Sequence, residues 1–289
     1  MPLAVIIATA NRRCLLQQAM VQLETQTRPP NVVVVSAPDK SHVEPYLPSR
    51  YAIRVVFGAH GLAAQRNNAL KVTTDCDTVV FFDDDFLPAD DYLEQVEASL
   101  ADHPDWAVVT GRVLFDGIKG PGMSFEEGKE LLSTCDHRSV PAGPALERHG
   151  AYGCNMAVRF CDIGEIRFDE RLPLYGWQED TDFSRRVAGG RPIMQDNRLC
   201  GVHLGVKSGR VSGVRFGYSQ IANPIYLVGK RTLPVRWAMR LIARNLAANV
   251  VGSLWPEPHI DRLGRLKGNA IAALHLLRGR VEPEYILKL

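Results

Sequence analysis

Residues 78–93, "TVVFFDDDFLPADDYL", join a fully apolar run to three consecutive aspartates, Asp83, Asp84 and Asp85. Carboxylates this close repel one another and reduce stability unless a cation or a function compensates them. Side chains alternate along an extended backbone, so we expect Asp83 and Asp85 to point the same way and Asp84 the opposite way. Two converging carboxylates suit Mg²⁺ or Mn²⁺, whose other ligands are commonly water and substrate phosphates. The pattern therefore predicts a site for a metal-bound diphosphate; the alternative is an acidic turn before a helix.

The segments around these aspartates alternate between strands and helices. Apolar runs such as "LAVIIAT", "NVVVVS" and "DTVVFFDD" predict strands that are buried on both faces, and "RRCLLQQAMVQLETQ" has helical periodicity. This alternation predicts an α/β fold with a mostly parallel, Rossmann-like central sheet flanked by helices. Ligands of such sheets bind at the carboxyl ends of the strands, which is where the aspartates fall.

The pattern continues with "AIRVVF" as a strand, "GLAAQRNNALKVT" and "ADDYLEQVEASLAD" as helices, and "WAVVTGRVLF" as a strand. Residues 117–153 are rich in Gly and Pro, with one helical patch, and we interpret them as a loop or lid near the site. After them, "CNMAVRF" predicts a strand, "QEDTDFSRRVAGG" a helix, and "PIMQ" and "RLCGVHL" two short strands.

The charge of the chain is divided unevenly along its length. Residues 1–204 carry 20 Lys+Arg and 28 Asp+Glu, whereas residues 205–289 carry 14 and 4. The tail contains two predicted helices, "PVRWAMRLIARNLAANVVGSLW" and "GRLKGNAIAALHLLRGR". We therefore predict a catalytic or binding domain over 1–205 and a basic helical C-terminal extension over 206–289. The basic extension suggests an anionic partner such as a membrane surface or a phosphate; the alternative is a solvated helical surface.

Composition excludes several other classes of protein. No segment of the 289 residues reaches the ~18 uninterrupted apolar residues of a spanning helix, and the first apolar run has no basic region before it. The six cysteines form no C-x-x-C pair, which favours a reduced, cytoplasmic setting. The basic residues of the tail are interleaved with few aromatics, so no nucleic-acid partner is expected.

Four motifs follow one another in a recognisable order. They are "VIIATANRRCLLQQAMVQLETQT" at the start, "GLAAQRNNAL", "FFDDD" and "GWQEDTDFSRR". Over roughly residues 3–205 the chain resembles the family 2 inverting glycosyltransferases of the GT-A fold. The segment "GRLKGNAIAALHLLRGRVEPE" is similar to tails of bacterial members that build surface polysaccharides. The resemblance implies transfer of a sugar from a nucleoside-diphosphate sugar to a hydroxyl acceptor.

The resemblance also implies a donor site. In the family's pattern Asp83 faces the ribose, and the guanidinium fork of Arg66 suits a diphosphate. Ser36 stands where many members carry an acidic pair that helps to hold the base, so UDP, GDP and dTDP sugars all remain candidates. The residues implied to bind the nucleotide-sugar are Thr9, Asn11, Arg12, Ser36, Arg66, Asn67, Asp83 and Asp84.

The metal and the catalytic base are implied in the same way. Asp85 would bind Mn²⁺ or Mg²⁺, and His203, by its position after the catalytic helix, would complete that metal site. Asp180 would be the general base that takes the proton of the acceptor hydroxyl, and Glu179 would contact the acceptor or orient the site. The alternative for these two acids is a favourable interaction with the helix N-terminus, and for His203 a structural role.

The acceptor site is implied less directly. Asn155 lies in a segment that resembles the lining of the sugar pocket, and Trp177 would stack on a sugar ring or simply pack. The acceptor is expected to be a glycan or a lipid-linked glycan. Arg236, Arg240, Arg244 and Trp237 on an apolar helix suit an anionic bilayer, so peripheral contact with the inner face of the cell membrane is expected; the alternative is packing on the core or on a second chain.

Two other functions fit parts of the pattern. A sugar nucleotidyltransferase shares the α/β layout and the metal-binding carboxylates, but it should carry a Gly-rich, Lys-containing phosphate loop where this chain has "ATANRR". A non-catalytic sugar-binding or scaffold protein has no chemical reason to keep both acidic motifs. Glycosyl transfer is the function that the sequence favours.

Overall fold

The computed structural model describes residues 1–43, 50–134, 143–207 and 212–289. Within these ranges the predicted alternation of strands and helices in the first half of the chain is confirmed. The elements of this half are β1 (Leu3–Ala8), α1 (Arg13–Glu24), β2 (Val32–Ala37), β3 (Ala52–Phe57), α2 (Leu62–Leu70), β4 (Thr78–Asp83), β5 (Phe86–Pro88), α3 (Tyr92–Asp102) and β6 (Val108–Asp116).

The second half begins with the Gly- and Pro-rich region predicted as a lid, which contains a helix and a short strand; residues 135–142 of it lie outside the described ranges. A bundle of helices ends the chain. The elements of this half are α4 (Phe125–Thr134), β7 (Leu146–Glu147), β8 (Asn155–Arg159), α5 (Phe160–Ile163), α6 (Glu179–Ala188), β9 (Ile193–His203), α7 (Gly213–Gly229), α8 (Val235–Leu254) and α9 (Arg262–Leu277).

In the described chain, nine strands form one sheet in the order β3-β2-β1-β4-β8-β6-β9-β5, with β7 paired to β9. β1 to β4 are parallel to one another, β6 is parallel to β9, and β8 runs antiparallel between β4 and β6. Six of the nine strands therefore share one direction, and the predicted mostly parallel sheet is confirmed. The edge at which β1, β2, β4, β6 and β9 end is called the site edge below.

Helices cover both faces of this sheet. On one face, α1 and α3 pack on Leu3, Val5 and Ile7 of β1 through side chains such as Leu23 and Val96. On the other face, the alternate residues of the same strand meet α2 and α6. Because β1 is covered on both sides, its sequence is apolar without interruption, as the prediction of a doubly buried strand requires.

The prediction of two short strands near residue 200 was wrong, because one strand, β9, covers both segments. The pairing of β9 with β6 shifts register between Gly111 and Arg112 and again further on. Such irregularities place polar residues inside a continuous strand. Here Asp196 is bound by Arg198 two residues later, and these polar residues had suggested a break.

The C-terminal helices form a bundle, of which α8 and α9 agree with the predicted helices. The sequence had indicated no helix over α7, although it is largely buried. It contains Pro224 and several glycines, which weaken helical propensity. Tertiary packing stabilises it instead, through Tyr218 and Ala222, neither of which is exposed. Among the described helices, none has both the length and the apolar character needed to cross a bilayer.

Candidate active site

Two strand ends bring together, at the site edge, three side chains that could hold a metal ion. Asp83 is the last residue of β4, Asp85 follows in the turn, and His203 is the last residue of β9. One ligand atom from each lies within 4.8 Å of the others. The His203 Nε2 atom is 3.3 Å from Asp85 Oδ1. Two carboxylates and an imidazole form a donor set that fits Mn²⁺ and, with more oxygen ligands, Mg²⁺.

The ring of His203 is oriented by two residues that the sequence had not indicated. Asp116, the last residue of β6, lies with Oδ1 3.0 Å from His203 Nδ1. The Tyr152 hydroxyl donates to Asp116 Oδ2 at 3.0 Å and is 3.2 Å from the same ring nitrogen. This leaves Nε2 directed at Asp85, the arrangement by which a carboxylate commonly orients a ligating histidine.

The charges of this cluster depend on one another. Burial alone would lower the pKa of His203, but its hydrogen bonds with Asp116 and Asp85 outweigh burial and raise the pKa to about 10. Burial would raise the pKa of Asp85, but the hydrogen bond and charge of His203 hold it below its usual value. A metal ion that binds Nε2 must displace any proton held there, so cation binding at this site is linked to pH.

Asp84, the middle aspartate, lies in the turn after β4 and is bound by residues of the loop after β1. Its carboxylate accepts hydrogen bonds from Thr9 Oγ1 at 2.7 Å and from Arg12 Nη1 at 2.9 Å. Burial raises the pKa of Asp84 to about 7, although Arg12 opposes this. The same guanidinium is 3.7 Å from Asp85 and donates to the Val206 carbonyl. Asp84 therefore ties the loop after β1 to the turn that carries Asp85.

Arg66 joins the two acidic motifs. Its guanidinium is 1% exposed and lies 2.9 Å from Asp83 Oδ1 and 2.5 Å from Glu179 Oε1. It also donates to the Gly153 carbonyl at 2.7 Å. The Cζ atom of Arg66 lies 5.4 Å from the centroid of the Phe168 ring. These contacts hold Arg66 in one position between Asp83 and the start of α6.

The first turn of α6 presents the predicted catalytic acids. Asp180 is partly exposed, and its carboxylate accepts from the Gly153 amide at 2.9 Å and from the Thr181 amide at 2.7 Å. Burial raises the pKa of Asp180 above its usual value. Burial also raises the pKa of its neighbour Glu179 to about 8, despite the charge of Arg66. Glu179 Oε2 is buried without a hydrogen-bond partner among the described residues.

A tight turn and a glycine place these acids. Gln178, with φ of 74°, and Gly176, with φ of 60°, precede α6 in the left-handed region. A side chain at Gly153 would begin 3.0 Å from Arg66 Nη1 and 3.1 Å from Asp180 Oδ2. A glycine therefore lets the backbone lie closely between those two groups, and its carbonyl and amide bond to Arg66 and Asp180.

Three of the predicted site residues have side chains that are buried inside the protein and do not face the site. Asn155 is not exposed, and its side chain bonds to Thr110 Oγ1 and to the Gly111 carbonyl. The Asn67 side chain holds the backbone of Phe168. Ser36 is not exposed, and its hydroxyl has no hydrogen-bond partner among the described atoms.

Two predicted residues lie at the rim. Asn11 is exposed, has a φ of 59°, and donates its amide proton to His42 Nδ1. Trp177 is half-buried, and its ring centroid is 6.0 Å from that of Phe216 on α7. The structure thus brings Thr9, Arg12, Arg66 and the acidic motifs together, whereas Asn11 and Trp177 flank them.

Of the two residues that orient His203, only Asp116 could have been found from the sequence. Asp116 directly follows the predicted strand "WAVVTGRVLF" and is the last residue of β6. Because strand ends in a mostly parallel sheet converge at one edge, it could have been expected near the site. Tyr152 lies in the Gly-rich region, where no periodicity sets the direction of a side chain.

The sheet order and its flanking helices define a GT-A type fold, and comparison with known proteins agrees. The sequence profile described as glycosyl transferase family 2 matches residues 4–167. The chain belongs to this family and is a glycosyltransferase of the GT-A fold. No curated protein sequence matches the chain.

Two solved structures share its fold. One is TarS of S. aureus, 16% identical with a TM-score of 0.50, where the match covers 79% of this chain and 40% of that one. The other is the mannosyltransferase PcManGT from Pyrobaculum calidifontis in complex with GDP-Man and Mn²⁺. It is 17% identical with a TM-score of 0.54, and the match covers 99% of this chain and 85% of that one. The chain therefore spans less than half of TarS, and both likenesses concern the fold.

Proposed function

We propose that the protein is a metal-dependent inverting glycosyltransferase that moves a sugar from a nucleoside-diphosphate sugar to a hydroxyl acceptor. One observation carries the proposal. The metal-ligating cluster of Asp83, Asp85 and His203 lies at the same edge of the sheet as Asp180, and Arg66 joins the two sides through Asp83 and Glu179. A donor diphosphate at the cluster would place its sugar towards Asp180.

The donor side is proposed to bind the diphosphate. Asp85 and His203, with Asp83, would hold Mn²⁺ or Mg²⁺, which when bound supplies positive charge that stabilises the leaving diphosphate. Arg12 lies beside this cluster and adds a second cation. GDP is the first nucleotide to test, since PcManGT was solved with GDP-Man; UDP and dTDP remain candidates.

The acceptor side is proposed to activate a hydroxyl group. Asp180 receives two backbone hydrogen bonds that fix its carboxylate, and it is partly exposed. Its pKa is raised, which makes it a stronger base than an ordinary carboxylate, and general-base help of this kind contributes about 10²–10⁴-fold to rate. Inversion follows when the activated hydroxyl attacks the anomeric carbon from the face opposite the diphosphate.

The acceptor is proposed to be a glycan or lipid-linked glycan of bacterial polysaccharide synthesis, reached at the inner face of the cell membrane. The net positive charge of residues 205–289, with 14 basic and 4 acidic residues, supports such a surface.

A thermal-shift titration with UDP, GDP, dTDP and CDP, each with and without Mn²⁺, tests the donor site. We expect one diphosphate to raise the melting temperature only when Mn²⁺ is present. At a hundredfold excess over Kd, binding should add about 2.7 kcal/mol to the free energy of unfolding. Asp85→Ala should abolish this rise.

The matched control is Asp105→Ala, because Asp105 is an exposed acid outside the site. It should keep the full nucleotide response. A protein that no nucleotide stabilises with any metal, or an Asp85→Ala variant that responds like the wild type, contradicts the proposed donor site.

A further inference from the structure

Exposed apolar side chains are concentrated at the C-terminal end of the molecule. Among the described residues, twelve of the eighteen large apolar side chains that are exposed lie within residues 235–289. The most accessible of these on α8 and at the start of α9 are Trp255 at 72%, Leu263 at 69% and Leu254 at 67%. Together with Val250 and Val251 they form what we call the apolar tip. Patches of this kind mark interaction sites more often than isolated exposed residues do.

The apolar tip continues a stripe along one side of α8. An α-helix turns once in 3.6 residues, so residues spaced by three or four lie on one side. The side that faces the bundle carries Ala238, Ile242 and Asn249, which are buried. The opposite side carries the α8 stripe, which consists of Arg236, Arg240, Arg244, Ala247, Val251 and Leu254.

The α8 stripe changes character along its length of about 30 Å. Its first half is basic, and Arg236, Arg240 and Arg244 are exposed and form no salt bridge with any residue in the described ranges. Its second half is apolar and ends at Leu254, the residue before Trp255. Basic residues beside exposed apolar ones suit an anionic bilayer, because the arginines can bind headgroups while the apolar end enters the bilayer next to them.

Side-chain contacts link the start of α9, next to the apolar tip, to the candidate active site. Arg265, in the first turn of α9, stacks its guanidinium 4.5 Å from the Phe216 ring. That ring is 6.0 Å from the ring of Trp177, which precedes Glu179 by two residues. The junction of α8 and α9 is therefore two side-chain contacts away from the segment that carries the proposed base.

We propose that the apolar tip and the α8 stripe dock on an anionic phospholipid bilayer, with Leu254 and Trp255 entering the boundary between headgroups and acyl chains. This docking would place the cleft between Asp85 and Asp180 at the membrane surface. It deepens the proposed function and rests on it, since a membrane-held acceptor is what the docking would present to Asp180.

Flotation of the intact chain with vesicles tests the docking. Mixed phosphatidylcholine–phosphatidylglycerol vesicles are compared with vesicles of phosphatidylcholine alone, at low and at high salt. We expect the wild type to float with the mixed vesicles at low salt and to be released by salt, because the arginines act through screened charges. The double variant L254S/W255S should bind about tenfold more weakly or worse, since two large apolar groups no longer enter the bilayer.

The control variant is V55S/F57S, which alters two exposed apolar residues of β3, away from the tip. It should float like the wild type. Docking is overturned if the wild type stays in solution with anionic vesicles at low salt, or if L254S/W255S floats equally well. It is also overturned if light scattering shows that the wild type is a dimer without lipid and that L254S/W255S is a monomer, because the tip is then an interface between two chains.

The nucleotide-dependent thermal shift is measured on the same preparations and separates the two proposals. Loss of flotation in L254S/W255S with an unchanged nucleotide response supports docking and leaves the donor site intact. A wild type that responds to nucleotide and Mn²⁺ but never floats overturns docking alone. A wild type that floats without any nucleotide response contradicts the proposed donor site and leaves the docking surface standing.

Discussion

At the scale of single residues, His203 owes its orientation to two side chains outside the predicted ligand set. Asp116 and the Tyr152 hydroxyl both contact its Nδ1 atom, so the ring cannot rotate without breaking these two contacts. A carboxylate partner also makes an imidazole a better metal ligand, because it stabilises positive charge on the ring. Asp116 is thus a positioning residue for the proposed metal site.

Asp116→Asn should weaken Mn²⁺ binding by about tenfold or more, because the amide removes the charge that supports His203. Titration of Mn²⁺ followed by electron paramagnetic resonance measures this directly, without any turnover. Tyr152→Phe should have a smaller effect of the same sign. Asp105→Asn, on the exposed surface, is the control; an unchanged Mn²⁺ affinity in Asp116→Asn would show that Asp116 does not support the metal site.

Glu179 makes a prediction about pH. Burial raises its pKa to about 8, so between its unfolded pKa of about 4.5 and 8 the folded protein binds more protons than the unfolded one. Folding stability must therefore fall as pH rises through this range. In Glu179→Gln this contribution is absent, so the melting temperature of the wild type relative to the variant should decline from pH 5 to pH 8. A difference that stays constant or increases with pH would contradict the raised pKa.

The sequence indicated the residues of the candidate site but few of the contacts between them. The strand pattern correctly placed the three aspartates at the end of β4, because that property depends on local sequence alone. It did not indicate that Arg66 would bind Glu179, 113 residues away, since such a pairing depends on the whole sheet. The same limit applies to Tyr152, whose direction is set by tertiary packing.

At the scale of elements, α7 and α9 cross at unusually short range. A Cβ atom at Gly268 would lie 2.0 Å from the Val214 carbonyl oxygen, and one at Gly217 would lie 2.1 Å from the Arg265 carbonyl oxygen. The two glycines allow the backbones to touch, and nearby Asn249 and Asn269 bond to each other in the buried interior of the bundle. Small residues thus set the distance between the two helices.

Gly268→Ala should lower the free energy of unfolding by about 1–3 kcal/mol or more, because the added methyl group forces α7 and α9 apart. Gly229→Ala is the matched control, since nothing lies within 4 Å of a Cβ at this last residue of α7. That change should be neutral or stabilise by about 0.4–1 kcal/mol through a less flexible unfolded chain. Denaturant titrations of both variants measure the difference; equal stability would contradict the close crossing.

Elements were predictable where local pattern and tertiary packing agree. β1, β2 and β4 carry uninterrupted apolar runs and lie in the middle of the sheet, so pattern and burial coincide. In α7, Pro224 and the glycines lower the local helical propensity, but packing against α9 stabilises the helix. The prediction for β9 was wrong because a polar stretch inside a continuous strand resembles a turn in the sequence.

At the scale of the whole molecule, the C-terminal helices are joined closely to the sheet domain. Lys230 at the end of α7 lies 2.5 Å from Asp169 and 2.8 Å from Asp182. The Asn223 side chain donates to the Trp177 carbonyl, and Leu172 packs in a cluster with residues of α7 and α8. The predicted division into 1–205 and 206–289 stays a prediction, and these contacts argue that its two parts are not independent.

Calorimetry of the intact chain should therefore show one unfolding transition. A chain ended after residue 205 should be insoluble or markedly less stable, because it exposes Leu172 and leaves Asp182 without Lys230. Lys267→Met, which changes an exposed lysine of α9, should leave the single transition unchanged. Two separate transitions in the wild type, or a soluble and equally stable 1–205 fragment, would establish two independent domains.

The guanidinium of Arg66 has a thermodynamic consequence, because it contacts Asp83 on one side of the cleft and Glu179 on the other. Any event that changes the charge at Asp83 alters the field at Glu179, and linkage makes the effect reciprocal. Deprotonation of Glu179 must then shift cation affinity at Asp83 by the same factor by which cation binding shifts the ionisation of Glu179. Uptake or release of a proton by Glu179 on one side of the cleft therefore reports whether a cation is bound at Asp83 on the other side.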